Sequence, residues 1–313
     1  MRAAFYCVAD DRYFLGAVGL VNSLRVVGHR EPIFLLDCGL DDEQRRLLAA
    51  EVELVDAPAD APPTLLKAIA PLERPARTIV LIDTDMIVTR SLAALIDEAS
   101  DSRVVAFRND TDRHVAEWGE VLDLGPVRRQ PYVSFALVAM GGERAIEILR
   151  LIEDRQDRID FERTYWRQRR ITDYALLFAD QDVLNAILAS RIEPDRLRAL
   201  DQRLAPLPPF EGLAVVDESS LSCAYEDGTE PYVVHHWLAK PWLEPTHDGV
   251  YSRLLRRLLV GDDVAIRVPE AQIPLRFRGG VRAFAERKLI DARERLRYRV
   301  REPLAARRGS VRR

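Results

Sequence analysis

Apolar and polar residues alternate in blocks along the first third of the chain. Ala3–Val8 (AAFYCV) is an uninterrupted apolar run of strand length, and Ala17–Val27 carries apolar residues at helical spacing. Ile33–Leu36 is strand-like again and ends at Asp37. A helix is expected from about Glu43 to Ala50, with Asp41 and Gln44 at capping-box spacing. Val52–Val55 predicts a third strand, stopped by the Pro-rich DAPADAPP stretch. Thr64–Ala70 predicts a helix, and Thr78–Ile82 (TIVLI) a strand rich in β-branched residues. Strands alternating with helices in this way predict an α/β, Rossmann-like domain with a mostly parallel central sheet. Ligands of such sheets bind beyond the carboxyl ends of the strands, which directs attention to the residues just after each one.

The middle is less regular. Tyr132–Met140 is a longer apolar run, followed by Gly141-Gly142 and a predicted helix through Ile152. Residues 156–173 are highly charged with interspersed aromatics and read as an exposed excursion or lid. Asp180–Ser190 predicts a helix that opens on acidic residues, and Tyr232–Val234 a strand running into His235 and His236. From Phe277 to Val300, apolar residues at 277, 281, 284, 289, 292, 296 and 300 form a near-helical stripe, with arginines on the other face.

Composition is that of an ordinary globular protein: 313 residues, 48% hydrophobic and 31% charged. No apolar run approaches the ~20 residues that cross a bilayer, and the N-terminal run is too short for a secretory core, so a cytoplasmic protein is expected. Three widely spaced cysteines (Cys7, Cys38, Cys223) suggest neither a disulfide framework nor a cysteine metal site. The net charge of −4 hides an asymmetry: from Arg276 onward 14 basic residues face 4 acidic ones. The basic tail is thus electrostatically distinct from the rest of the chain. A catalytic domain over 1–262 and a basic amphipathic helical tail over 263–313 are the expected division.

The candidate chemistry begins with VLIDTDMIV, which places Asp83 and Asp85 two residues apart at the end of the most apolar strand. At strand spacing both carboxylates face one side. Unpaired, they would repel; a divalent cation between them removes the conflict. Mg²⁺ and Mn²⁺ both favour such oxygen ligands, with substrate phosphates completing the shell. The same D-x-D-x-x-V pattern also fits haloacid dehalogenase-like phosphatases, where the first Asp is a nucleophile, although that motif normally stands near the start of the chain.

Four further segments accompany the acidic pair. ADDRY (Ala9–Tyr13) precedes a helix ending in NSLR (Asn22–Arg25), and Lys67 stands 16 residues before Asp83. DQDVLN (Asp180–Asn185) opens a helix, and VVHHWLAKPW runs from Val233 to Trp242. In this order they resemble the family-eight glycosyltransferases, the retaining group that includes glycogenin and bacterial lipopolysaccharide galactosyltransferases. The resemblance covers about residues 3–245 and implies a GT-A fold, a UDP-sugar donor and Mn²⁺, with Mg²⁺ the alternative metal. By the same resemblance Asp10 and Tyr13 hold uracil, Tyr13 stacking on the base. Asp83 and Asp85, flanking Thr84 in the donor site, bind metal, with His235 or its neighbour His236 as third ligand; His235 keeps the family's strand register. Lys240 contacts the pyrophosphate and Lys67 the donor sugar or phosphate. Asp180 bonds sugar hydroxyls and Gln181 faces the anomeric carbon.

Two departures stand out. Where the family usually shows Y-F-N-x-G, this chain has Tyr132-Val133-Ser134-Phe135-Ala136, so Ser134 offers a hydroxyl while Phe135 and Ala136 alter the pocket wall. The glycine between the histidine and KPW is also missing. The expected function is transfer of a hexose from a UDP-sugar to a glycan, lipid or protein acceptor. The alternatives are a nucleotide-sugar-binding protein that has lost transfer, and the phosphatase. The tail over 276–313 suits an anionic membrane surface on the inner face of the plasma membrane, with Phe277, Phe284 and Leu296 facing lipid. No nucleic-acid partner is expected.

Overall fold

The computed structural model describes residues 1–58, 61–246 and 249–293. In chain order the strands are β1 (Ala3–Ala9), β2 (Ile33–Asp37), β3 (Glu53–Asp56), β4 (Thr78–Ile82), β5 (Met86–Val88), β6 (Val104–Arg108), β7 (Val133–Gly141), β8 (Leu197–Leu200), β9 (Leu213–Asp217), β10 (Ser222–Tyr225) and β11 (Val233–His235). Seven of them form one sheet in the order β3-β2-β1-β4-β7-β6-β8. The β3-β2-β1-β4 half is parallel, and β7 runs antiparallel between β4 and β6.

The unbroken apolar strands are explained by burial on both faces. Along β1, Phe5, Cys7 and Ala9 enter one core while Ala4 and Tyr6 enter the other; along β4, Val80 and Ile82 oppose Ile79 and Leu81. One face is covered by the helices Phe14–Val26 and Val250–Val260, the other by Gly142–Gln156 and Asp180–Arg191. Buried Asn22 ties the first of these layers together. Its Nδ2 donates to Leu258 O and Ile266 O, both at 2.9 Å, and its Oδ1 accepts from Ile266 N at 2.7 Å. Beyond residue 262, Ile266, Val268, Ile273 and Phe277 remain part of this core.

The capping box of Asp41 and Gln44 is formed at the start of the helix Asp42–Leu48. The helix expected over Thr64–Ala70 is not: a short 3-10 turn (Pro63–Leu65) gives way to a helix only at Ile69–Glu73. Pro71 falls within the first turn of the observed helix. Lacking an N–H, it is tolerated there, where that donor has no partner. Phe277, expected to face lipid, is instead buried at 2% exposure. A helix over 280–293 does expose Val281 (84%), Phe284 (54%) and Leu289 (52%). The remainder of the predicted stripe, with Leu296 and Val300, lies outside the described residues.

A two-stranded ribbon matters most for chemistry. β5 pairs antiparallel with β11, Val88 opposite Val233 and Met86 opposite His235. The ribbon carries the His235-His236 pair to the carboxyl end of β4.

Candidate active site

After β4 the chain turns sharply. Asp83 N donates to Ala136 O at 2.8 Å, and Met86 N returns to Asp83 O at 3.2 Å. The carboxylates of Asp83 and Asp85 therefore converge through a tight turn rather than through strand alternation. His236 N donates to Asp85 O at 3.1 Å, clamping β11 against that turn and bringing His235 forward. One ligand atom from each of Asp83, Asp85 and His235 lies within 4.8 Å of the others. The His236 ring instead packs edge-on against Tyr251, with centroids 5.2 Å apart. Burial and the Lys240 charge push its imidazole down to about 4, so it is neutral near pH 7.

Two lysines flank the carboxylates. Lys67 Nζ stands 2.7 Å from Asp83 Oδ1 and 3.2 Å from Asp180 Oδ2, and donates to Phe135 O at 3.3 Å. Lys240 Nζ pairs closely with Asp85 Oδ2 and donates to His236 O at 2.8 Å. Burial raises the Asp83 carboxyl above its ordinary value despite the Lys67 ammonium, and the Asp85 charge pushes the same way. Burial also works against the Asp85 charge, but Lys240 and His235 outweigh it and hold that carboxyl well below the usual range. Asp180 is pushed up to about 6, by burial first and by the Asp83 charge, against the pull of Lys67.

The donor set fits a divalent cation. Asp85 Oδ1 is buried without a hydrogen-bond partner, yet lies 3.1 Å from His235 Nε2. An acceptor oxygen and an imidazole nitrogen close together, beside a second carboxylate, make up a mixed O/N ligand set able to hold a divalent metal ion.

Behind this centre, the helix Asp180–Arg191 starts from Ala179, held at φ 50° and ψ −121°. That conformation is costly for alanine. Asp180 is the first helical residue, one position inside the N-cap Ala179. Gln181 is held at both ends of its amide: Oε1 accepts from Phe135 N at 3.2 Å and Nε2 donates to the Tyr132 hydroxyl at 3.1 Å. Tyr132 in turn donates to Asp182 Oδ1 at 2.7 Å, which also accepts from Arg113 Nε at 2.9 Å. Asp182 only accepts, so the Tyr132 proton points to it, and the Tyr132 oxygen is left to receive the Gln181 amide N–H.

At the other end, Asp10 Oδ1 accepts from Tyr13 N at 3.0 Å and so shapes the turn that presents Tyr13. Tyr13 meets Trp242 edge to face at 6.0 Å, and Lys240 Nζ lies 5.5 Å from its ring centre. Gly16 is required there: an added Cβ would lie 2.6 Å from Thr84 O and 2.7 Å from the Trp242 ring. Asp10, Tyr13, Lys67, Asp83, Thr84, Asp85, Ser134, Asp180, Gln181, His235 and Lys240 all line one cleft of about 460 Å³.

No family model matches the sequence, and neither does any curated protein. Solved structures do match. The galactosyltransferase LgtC, in complex with donor and acceptor sugar analogues, is similar at a TM-score of 0.55 and 16% identity, over 86% of this chain and 98% of that one. An active-site variant of LgtC gives 0.56 and 18% over the same shares. The bifunctional glycosyltransferase WbbM gives 0.52 and 13%, over 82% of this chain and 49% of its own. The fold is GT-A.

Within the GT-A sheet, every residue expected at the donor site reaches a single cleft, although the pieces are scattered over 230 positions of sequence. Several cleft residues were not foreseen. Asn109, Asp110 and Thr111 follow β6, while Tyr165, Trp166 and Trp237 stand at the rim. Their position after a strand, or beside the His235 segment, was the available signal. Tyr132 and Asp182 fall inside segments already singled out, but their link to each other and to Arg113 leaves no signal, because it lies in contacts 50 and 69 residues apart.

Proposed function

We propose that the protein is a metal-dependent glycosyltransferase that moves a hexose from a UDP-sugar to an acceptor with retention of configuration. One observation carries the reading: Asp83, Asp85 and His235 converge at the carboxyl end of β4, between Lys67 and Lys240, inside a GT-A cleft. Asp83, Asp85 and His235 would hold Mn²⁺, with Mg²⁺ as alternative. Bound there, the cation supplies Lewis-acid charge neutralisation at the donor diphosphate.

The chain's own groups divide the remaining work. Asp10 and Tyr13 take the uracil end, with Tyr13 offering a ring face. Lys240, which stands beside Asp85 and over the Tyr13 ring, would contact the diphosphate, where its ammonium stabilises the charge that grows on UDP. Thr84 and Ser134 border the ribose and sugar. Lys67 and Asp180 hold sugar hydroxyls, and Gln181 presents its fixed amide to the anomeric carbon. Retention rests on the family resemblance.

The altered wall at Phe135 and Ala136 supports a second reading, a protein that binds a nucleotide-sugar without transferring it. Donor binding with neither hydrolysis nor transfer would establish that version. A phosphate-ester assay, expected to be negative, separates both from the phosphatase.

Among the described residues no helix is long and apolar enough to cross a membrane. The exposed Val281, Phe284 and Leu289, interspersed with Arg282, Lys288 and Arg293, support a peripheral role for the 276–313 segment at an anionic cytoplasmic membrane face.

Calorimetric titration of UDP with Mn²⁺, and then with EDTA, tests the central claim. Binding that requires the cation is expected, and Asp85→Asn should remove the requirement together with the affinity. Absence of binding under both conditions refutes the assignment.

A further inference from the structure

The rim of the cleft carries aromatic rings that the donor-site assignment leaves unused. Tyr165 and Trp166 lie in the short helix Tyr165–Gln168, and Trp237 follows His235 by two residues. Tyr165 and Trp237 stack at 6.4 Å with an interplanar angle of 28°, and Trp166 meets Trp237 edge to face at 6.2 Å. Phe178 closes the group against Tyr165 at 5.8 Å. All four are only half-buried, and all line the cleft that holds Asp83, Asp85 and Asp180.

The cluster is fixed to the sugar end of the site. Phe178 stands two residues before Asp180, and its N–H donates to Asp182 Oδ2 at 2.8 Å. Tyr165 N donates to Leu177 O at 2.8 Å, which binds the charged 156–173 excursion to the same strained start of the catalytic helix. Asp110 and Thr111, both exposed on the loop after β6, line the same cleft.

This pairing of surfaces has a specific chemical complement. A pyranose ring has a face of axial C–H groups, apolar and slightly positive, and a rim of hydroxyls. Aromatic faces carry negative potential and attract the first; a carboxylate and a hydroxyl accept and donate to the second. An acyl chain would use the rings but leave the polar loop unpaired. We propose that Tyr165, Trp166 and Trp237 form a shelf that binds a pyranose of a glycan acceptor, next to the donor sugar. The proposal rests on the glycosyltransferase reading of this cleft.

The test uses full-length protein saturated with UDP and Mn²⁺. Intrinsic tryptophan fluorescence is followed during titration with methyl glycosides of glucose, galactose, N-acetylglucosamine and a heptose. A saturable change with at least one of them is expected. Trp237→Ala should weaken that sugar at least tenfold and Trp237→Phe should restore much of it, while UDP affinity by calorimetry stays within twofold. Asp110→Ala, on an exposed loop where folding is not at stake, should weaken the same sugar several-fold. UDP binding with no response to any glycoside, or a response indifferent to Trp237→Ala and Asp110→Ala, overturns the shelf and leaves the donor assignment standing. Loss of UDP binding in the parent protein would instead bring down the underlying reading.

Discussion

Asp182→Ala puts the buried network behind Gln181 to a direct test. Asp182 is fully buried and receives three donors: Arg113 Nε at 2.9 Å, the Tyr132 hydroxyl at 2.7 Å and Phe178 N at 2.8 Å. Stranding a buried charge costs about 3–5 kcal/mol. Arg113 keeps two carbonyl partners, Tyr174 O and Ala175 O, each at 2.9 Å, so the lower end applies. Two neutral donors left without acceptors add about 1 kcal/mol each, for a total near ~5 kcal/mol. Against a typical stability of about 5–15 kcal/mol, that is a severe loss. Urea unfolding followed by circular dichroism should show it as a lower midpoint at unchanged slope. Tyr132→Phe is the milder companion, at about 1–2 kcal/mol, because Arg113 still satisfies Asp182. It should also lower turnover by about tenfold, equivalent to ~1.4 kcal/mol in the barrier, without changing UDP affinity, since it frees the Gln181 amide to flip. A loss under ~1 kcal/mol for Asp182→Ala would refute the reasoning, for it would mean that those donors find other partners.

Gly16→Val should weaken UDP binding and destabilise the fold by about 1–3 kcal/mol, because the new side chain collides with Thr84 O and Trp242; thermal melts and calorimetry both report it, and a neutral result would mean that the Tyr13 end is pliant. The Asp180 carboxyl, pushed to about 6 from an ordinary 3.8, binds its proton more readily folded than unfolded. Its stabilising contribution is therefore complete below about pH 4 and lost as pH rises through about 6. Asp180→Asn should flatten that limb of the stability curve measured in EDTA, and superimposable curves for the two proteins would contradict it. The double substitution Phe284→Glu with Leu289→Glu should abolish co-sedimentation with phosphatidylglycerol vesicles, at a stability change under ~0.5 kcal/mol. Undiminished co-sedimentation would remove the membrane role.

Much of the fold was legible because its strands are buried on both faces and so appear as short unbroken apolar runs. The parallel half could be read from TIVLI and its predecessors. The antiparallel insertion of β7 could not, since Tyr132–Met140 carries no mark of direction. At the site, Asp83 and Asp85 are neighbours in sequence and easily seen. His235 could be placed beside them only through resemblance, because the β5–β11 pairing that delivers it joins residues about 150 positions apart. The Tyr132–Asp182–Arg113 chain was invisible for the same reason: each member, alone, is an ordinary tyrosine, aspartate or arginine.

The β5–β11 ribbon also sets the order in which this protein becomes competent during its own synthesis. A chain that has emerged from the ribosome only as far as residue 232 possesses the acidic turn and most of the sheet but lacks His235 and Lys240. Competence needs still more, because the Asn22 contacts with Leu258 and Ile266, and the burial of Phe277, complete the layer on which the ribbon rests. The cleft is therefore completed late, since His235 and Lys240, which close it against the acidic turn, are among the last of its residues to be made. Conversely, a ligand that bridged the two ends would act as a clasp, raising the melting temperature with the logarithm of its free concentration above Kd.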